Sequence, residues 1–150
     1  MACDIRPARD SDAEAISAVI LSALRETNAQ DYSQDIIARV ARSFSPAALR
    51  KLLESRTVLV AMKGEEVVGT ASLDGAVVRT VFISPGMQGQ GVGTRLMAEV
   101  ELIARSKGVT LLTVPSSVTA EAFYAKLGFQ AVRDSYHGDE RTIIMERLLP

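Results

Sequence analysis

Residues 81–97, VFISPGMQGQGVGTRLM, decide how this chain folds. Pro85 ends an apolar strand there, because proline fixes φ and has no N–H to give to a strand ladder. From Val92 onward apolar residues recur at helical spacing, so a helix begins inside the glycine-rich segment. The free N–H groups of its first turn and the positive end of its dipole face that segment. A strand, a glycine loop and a helix start in this order predict a phosphate-binding turn.

Three glycines, Gly89, Gly91 and Gly93, allow the backbone to approach a ligand with no Cβ in between. Two familiar nucleotide loops do not match. A Walker loop needs a lysine before its hydroxyl residue, but here Gly93 precedes Thr94. A dinucleotide-binding fold carries GxGxxG in an early βαβ unit, whereas the spacing here is Gln88-x-x-Gly91-x-Gly93 after a predicted hairpin. A phosphate loop of another kind is therefore indicated, and a purely structural glycine turn is the alternative.

The composition indicates one domain spanning residues 1–150. The chain is 47% hydrophobic, enough for a sizeable core. Its 17 basic and 18 acidic residues give a net charge of −1, so no overall basic field favours nucleic acid or a membrane surface as a partner. One cysteine, Cys3, and one histidine, His137, leave no pair for an intrachain disulfide and no Cys/His zinc cluster, so we expect no metal. The charged start and the lack of 18 consecutive apolar residues predict a cytoplasmic protein.

Hydrophobic periodicity and turn residues predict an α/β order of elements. Apolar residues at helical spacing indicate three helices between residues 11 and 55, which would form a helical cover before the sheet. Ser11 and Glu14 have the spacing of a capping box for the first helix. Pro115 is expected to end the strand after the glycine-loop helix, and Thr119 to cap the short helix that follows. The predicted strands are residues 3–7, 57–63, 67–73, 76–84, 109–114, 129–136 and 141–148.

A second segment makes a family resemblance specific. Residues 120–129, AEAFYAKLGF, resemble the A-x-x-F/L-Y-x-k-x-G-F segment that follows the fifth strand in the GNAT superfamily of N-acetyltransferases. The loop that starts at Gln88 resembles the Gln/Arg-x-x-Gly-x-Gly/Ala loop with which this family binds the pyrophosphate of acyl-CoA. The two motifs agree in order and spacing, and the resemblance extends over nearly the whole chain. It implies a mixed, mostly antiparallel sheet of six to seven strands, with a splayed parallel pair at its centre and helices on both faces.

The resemblance also implies acetyl-CoA as the cosubstrate, lying between the splayed strands. Backbone at Phe82 and Ile83 would pair with the peptide-like pantetheine arm and hold the thioester carbonyl. Ser117 stands where the family often has an asparagine that bonds the pantetheine. Gln88 stands where arginine is frequent, so the loop depends more on the helix end for positive charge. The residues expected to cradle the pyrophosphate are Gln88, Gly89, Gln90, Gly91, Val92, Gly93 and Thr94.

The implied reaction is transfer of an acetyl group to a primary amine of a small molecule, by direct attack in a ternary complex. Tyr124, in the second motif, is the candidate proton donor for the departing thiolate. No general base is assigned, and a water relay that involves Glu26, Asp31 or Tyr32 is expected. A protein N-acetyltransferase and a CoA-binding sensor without catalysis are the alternatives.

Arg79 is unexpected in a strand that should be central. A charged residue is seldom buried alone, so Arg79 should either pair with an acid or face the acceptor cleft. In the second case the acceptor would carry a carboxylate. We attribute Asp74 to the turn chemistry of the Asp74-Gly75 hairpin. Neither nucleic acid nor a membrane is an expected partner, and the sequence is compatible with a homodimer formed through the C-terminal hairpin.

Overall fold

The computed structural model describes residues 3–150, so Met1 and Ala2, at the charged start of the chain, lie outside the described residues. The α/β order of elements agrees with the predicted one. Within the described residues the α-helices are α1 (Ala13–Glu26), α2 (Gln34–Ala41), α3 (Pro46–Ser55), α4 (Val92–Ser106) and α5 (Glu121–Lys126). The strands are β1 (Asp4–Pro7), β2 (Thr57–Lys63), β3 (Glu66–Asp74), β4 (Val77–Ile83), β5 (Leu111–Ser117), β6 (Gln130–His137) and β7 (Glu140–Leu148).

The strands form one sheet in the order β1-β2-β3-β4-β5-β7-β6. Neighbouring strands are antiparallel except for β4 and β5. These two run parallel because α4 carries the chain from the end of one strand back to the start of the other. The predicted mixed sheet, mostly antiparallel with one parallel pair, is therefore confirmed.

Helices cover both faces of the sheet, as predicted. In β2, Leu59 and Ala61 belong to a core built around Leu96 of α4. Val60, between them, belongs to a second core built around Ile16 of α1. This alternation follows from the period of two along a strand. The central strands are thus buried on both faces, which explains their long apolar runs.

The start of α1 differs from the prediction. Ser11 and Glu14 do not form the expected capping box. Instead, the carboxylate of Asp12 accepts the backbone N–H of Arg9 at 2.7 Å and two guanidinium bonds from Arg6 at 2.8 and 3.0 Å. The hydrogen bonds from Arg6 hold the pKa of Asp12 below its ordinary value. Asp12, and not Ser11 or Glu14, is therefore the residue that serves this helix start, and Arg6 adds a contact from β1 that helical spacing alone does not predict.

Strand β5 also differs, because it continues through Pro115 to Ser117 where an end at the preceding residue was predicted. The N–H of Thr113 donates to the carbonyl of Ala76 at 3.0 Å, toward the start of β4. Pro115 comes two residues after Thr113, so its backbone nitrogen faces the same side of β5, toward β4. By that point β4 no longer pairs with β5, whose register contact is limited to Val77 and Thr113. An N–H at Pro115 would have no acceptor in β4, so proline costs β5 no strand hydrogen bond at this position and fits within the strand.

Candidate active site

The parallel pair separates soon after it forms. Strands β4 and β5 share one residue pair, Val77 and Thr113, and then diverge toward their C-terminal ends. The facing strand edges beyond this pair have N–H and C=O groups without strand partners. A cavity of about 860 Å³ lies in the gap and extends from the glycine loop to helices α1, α2 and α3. The predicted splayed pair is thus present, and it opens into a site.

A bulge in β4 explains the separation. Between Arg79 and Phe82, β4 has two residues, Thr80 and Val81, where β3 has one. Thr80 has a φ of 54°, a left-handed conformation that costs a residue other than glycine about 1–3 kcal/mol. The guanidinium of Arg56 donates to the Thr80 hydroxyl at 3.1 Å. Because a bulge bends its strand, β4 turns away from β5. Threonine is a good strand former, so no residue type in the sequence signals this bulge.

The glycine loop follows β4 after one 3-10 turn. Gly89 and Gly91 have φ values of 77° and 81°, and Gly91 is the N-cap of α4, which begins at Val92. A Cβ at Gly91 would meet nothing within 4 Å. The backbone conformation, and not crowding, therefore requires glycine there. Open space also remains beside the first N–H groups of α4, and the predicted helix start inside the loop is confirmed.

Gly93 has a different requirement. A Cβ at this position would lie 3.0 Å from Cζ and 3.1 Å from Cε1 of Phe123, closer than ordinary contacts. Phe123 belongs to α5, so the missing side chain lets α4 and α5 pack closely. From the sequence, Gly93 was predicted to let the backbone approach a ligand. The structure adds a packing requirement that comes from the second motif.

Two glutamine side chains of the loop are held by the protein itself. The amide of Gln88 donates to the Thr27 hydroxyl at 3.0 Å and to the Ile83 carbonyl at 3.4 Å. Gln90 donates to the Gly86 carbonyl at 3.5 Å and does not line the cavity. The other residues named by the sequence analysis for cofactor binding and catalysis do line it: Phe82, Ile83, Gln88, Gly89, Gly91, Val92, Gly93, Thr94, Ser117 and Tyr124.

Tyr124 reaches the cavity from α5. Its side chain packs edge-on between Phe123 and Phe129, with ring centroids 5.1 and 5.6 Å away. The residue is 4% exposed, and this burial raises the pKa of its phenol. The hydroxyl therefore keeps its proton at neutral pH. A buried, protonated phenol on a cavity wall can donate a proton to a group that gains negative charge there.

The turn before α5 is capped by a residue other than the predicted one. Ser117 accepts the backbone N–H of Ala120 at 3.1 Å. Thr119, the predicted cap, instead donates its hydroxyl to the carboxylate of Asp31 at 2.8 Å. Asp31 comes from the connection between α1 and α2, so again a distant partner decides. Ser117 lines the cavity while it holds this turn.

Residues 28–41, called the flap from here on, close one side of the cavity. The hydroxyl of Tyr32 donates to the Arg141 carbonyl at 3.0 Å and accepts the N–H of Val118 at 2.6 Å. Burial raises the pKa of this phenol too. Arg39 forms an ion pair with Glu140 at 3.4 Å. The flap is thus fastened both to β7 and to the segment that follows β5.

The carboxylates near the cavity are not the expected ones. Glu26 and Asp31, considered for a water relay, do not line the cavity. Tyr32 does, but its hydroxyl already makes two hydrogen bonds to backbone groups. Among the described residues, Glu140 is the one carboxylate in the cavity wall. In the sequence, Glu140 stands in the turn between the predicted strands 129–136 and 141–148, and nothing there signals a site residue, because its position opposite the flap depends on tertiary structure.

Arg79 meets both expectations stated for it. Its Nε lies 3.4 Å from a carboxylate oxygen of Asp74, and its side chain also lines the cavity. A second guanidinium, that of Arg56, lines the cavity next to it. Burial lowers the pKa of Arg56, and the positive charge of Arg79 lowers it further. The bond from Arg56 to Thr80, the residue that follows Arg79, also places these two cations in the same part of the cavity.

Two features are absent from residues 3–150. No helix in this part of the chain is both long enough and apolar enough to cross a membrane. No group of three or more His, Cys, Asp or Glu side chains in the same residues could hold a metal ion.

Comparisons with known proteins point to one family. A family model described as an acetyltransferase (GNAT) domain matches residues 28–145. The chain is also 29% identical over 129 residues to YafP, an uncharacterized N-acetyltransferase of Escherichia coli K12. That match covers 86% of this chain and 82% of the other protein.

Solved structures have the same fold. A GCN5-related N-acetyltransferase from Rhodopseudomonas palustris matches with a TM-score of 0.93 and 27% identity, over 99% of this chain and 97% of that one. The PaiA N-acetyltransferase of Thermoplasma acidophilum, solved in complex with coenzyme A, has a TM-score of 0.85 and 22% identity, with 99% of each chain covered. The family model spans well over half of the chain. The chain therefore belongs to the GNAT superfamily and is an acyl-CoA-dependent N-acetyltransferase, which confirms the family and enzyme class that the two motifs predicted.

Proposed function

We propose that this enzyme transfers an acetyl group from acetyl-CoA to a primary amine of a small molecule, by direct attack in a ternary complex. One observation carries the proposal: a continuous cavity runs from the glycine loop, through the gap between β4 and β5, to the flap. Its volume of about 860 Å³ lies within the range of roughly 300–1,000 Å³ usual for ligand sites. Such a cavity can hold both substrates at the same time.

The cavity has the groups that acetyl-CoA requires. Acetyl-CoA supplies the acetyl group as a thioester. We assign its pyrophosphate to the N–H groups of residues 88–94, because the helix start and the open space at Gly91 favour an anion there. We assign the pantetheine arm and the thioester carbonyl to the open edge of β4 at Phe82 and Ile83, with Ser117 on the facing strand. The coenzyme A complex of the Thermoplasma protein, which has the same fold, supports this class of ligand.

Tyr124 is the proposed proton donor. The acceptor nitrogen attacks the thioester carbonyl carbon, the N–C bond forms, and the C–S bond breaks with its electron pair going to sulfur. The phenol of Tyr124 gives its proton to that sulfur and later regains one from solvent, while the attacking nitrogen, which becomes positive as the N–C bond forms, loses one proton to water. A free thiol has a pKa of about 8.5, so a phenol is a weaker acid than the thiol in water. The difference in pKa corresponds to a cost of only about 2 kcal/mol, and burial disfavours the thiolate as it does the phenolate, so the transfer is a small part of a catalytic barrier.

The closed flap favours a small acceptor over a protein substrate. A peptide acceptor needs an open groove, but the flap is fastened to β7 by the bond from Tyr32 to Arg141 and by the ion pair of Arg39 with Glu140. The wall beneath it is apolar, with Phe44 and Phe82 packed edge-on at 5.9 Å. A compact amine fits a site closed in this way.

Glu140 is the group that we assign to the acceptor amine. It lies in the cavity wall, and Arg39 holds its carboxylate in place. A carboxylate there attracts the ammonium form of the acceptor and can receive its proton, directly or through water. The amine then attacks in its neutral form.

A panel of small amines, with release of the CoA thiol as the readout, tests the proposal. We expect steady release with at least one class of small primary amine and much slower release with lysine peptides. Binding of CoA without release for any amine would indicate a sensor and would refute the proposed transfer. Faster turnover of peptides than of small amines would refute the assignment of the acceptor.

A further inference from the structure

Two arginines enter the acceptor part of the cavity from the same face of the sheet. Arg79 is paired in register with Ser72 of β3, and residues directly opposite in an antiparallel pair share a face. Ser72 lines a small pocket together with Ile16 of α1 and Leu49 of α3, so this is the face that α1 and α3 cover. Arg56 leaves the end of α3 on that face. Both guanidinium groups line the cavity near the first half of β4, whereas the glycine loop follows its end.

The charges around these arginines do not balance. Asp74 is the acid that contacts Arg79, at 3.4 Å. Among residues 3–150, no carboxylate forms an ion pair with Arg56, whose side-chain hydrogen bond goes to the neutral hydroxyl of Thr80. Two cations and one anion leave a surplus of one positive charge beside an apolar wall. Like charges held together are unfavourable unless an anion joins them. The pKa of Arg56 is lowered first by burial and then by the positive charge of the neighbouring Arg79.

The geometry suits a planar anion. The bond to Thr80 at 3.1 Å anchors Arg56 on the bulge of β4. A guanidinium has five N–H donors in a rigid fork that matches a carboxylate, so one bond leaves most of its donors free. On another element, Glu140 offers a negative group to an ammonium. The cavity therefore has separate partners for the two ends of a molecule that carries both charges.

We propose that Arg56 and Arg79 form a carboxylate-binding subsite, and that the preferred acceptors are amines that also carry a carboxylate, such as amino acids. This inference rests on the proposed function, since it specifies the acceptor of the same reaction. The carboxylate of the acceptor contacts the two guanidinium groups and replaces part of the contact that Arg79 makes with Asp74.

Matched pairs of acceptors test this subsite. Each pair consists of an amino acid and its carboxamide, compared at equal concentrations of the neutral amine, with kcat/KM measured by CoA release. We expect the wild-type enzyme to prefer the carboxylate member by at least about 10-fold, as for a charge-assisted hydrogen bond. Arg56→Gln and Arg79→Gln should each reduce that preference about 10-fold, mainly through the acceptor KM. Arg79→Lys, which keeps the charge, should retain more of the preference than Arg79→Gln.

Arg50→Gln is the matched control. It removes a guanidinium from the same helix, but Arg50 pairs with Glu14 on the surface and does not line the cavity. We expect it to keep the wild-type preference. Calorimetric titration with CoA shows whether each variant is folded. Equal kcat/KM for both members of the pairs in the wild-type enzyme would overturn the subsite while leaving acetyl transfer intact. Absence of CoA release with every amine would instead overturn the proposed function.

Discussion

The two ends of the cavity are built from different parts of the chain and from different chemical groups. The glycine-loop end comes from one contiguous stretch, residues 81–97, and offers mainly backbone N–H groups. The acceptor end comes from α2, α3, β4 and β7 and offers side chains, including Arg56, Arg79 and Glu140. Backbone groups are alike in every residue, so they suit a cosubstrate that a whole family shares. Side chains differ, so they can distinguish one acceptor from another.

The largest expected effect is at the backbone end. Gly91→Asp places a carboxylate where we assign the pyrophosphate and imposes a φ of 81° on a residue other than glycine. Repulsion of up to roughly 4 kcal/mol at close range should weaken CoA binding about 1,000-fold. Calorimetric titration measures the affinity. Gly108→Asp is the control, because Gly108 has the same φ of 81° with open space around it, at the other end of α4. If both variants bind CoA equally well, the phosphate site is not at the loop.

The second largest effect is expected at Tyr124, the proposed proton donor. Tyr124→Phe should lower the turnover number about 100-fold, the low end for general acid catalysis, and leave CoA affinity unchanged. Because burial raises the pKa of Tyr124, the phenol stays protonated from about pH 6 to 9, and the loss should be the same factor across that range. Stopped-flow thiol release measures it. Tyr136→Phe removes a hydroxyl from an exposed tyrosine and should change nothing. An unchanged turnover number in Tyr124→Phe would make this residue only a cavity wall.

The third effect is at the acceptor end alone. Glu140→Gln removes the charge assigned to the acceptor amine and should lower kcat/KM for the acceptor about 10-fold. The KM for acetyl-CoA should stay the same, since that substrate binds at the other end. Steady-state kinetics with each substrate varied in turn separates the two. Glu146→Gln, on the same strand but outside the cavity wall, is the control. An equal change in both KM values would contradict the division of the cavity into two ends.

The smallest effect concerns the flap. Tyr32→Phe removes the hydroxyl that joins the flap to Arg141 and Val118. Each of the two lost hydrogen bonds is worth about 0.5–1.5 kcal/mol, so the free energy of unfolding should fall by about 1–3 kcal/mol. A looser flap should raise the acceptor KM about threefold, the factor expected from a loss of ~0.6 kcal/mol in closure. Urea unfolding and amide hydrogen exchange of residues 28–41 measure both. Unchanged exchange in the flap would show that other contacts hold it closed.

Much of the loop end was predictable from sequence, and much of the acceptor end was not. The glycine spacing and the helix start at Val92 are signals within a few residues of one another. Tyr124 stands inside a contiguous motif, so it too was found. Glu140 and Arg56 look like ordinary turn and helix-end residues in the sequence. They become site residues only because the sheet brings β7 and α3 to the same cavity.

The sequence by itself determined the glycine loop, the α5 motif and the α/β order, because backbone conformation and hydrophobic period depend on residues close together in the chain. Only the tertiary structure decided three other features. The bulge at Thr80 has no local signal, the start of α1 depends on Arg6 from β1, and Pro115 is tolerated because β4 has already turned away. In each case the deciding partner belongs to another element of the fold: α3 for Thr80, β1 for the start of α1 and β4 for Pro115. Such a partner becomes a neighbour only after the strands have paired and the helices have packed against them.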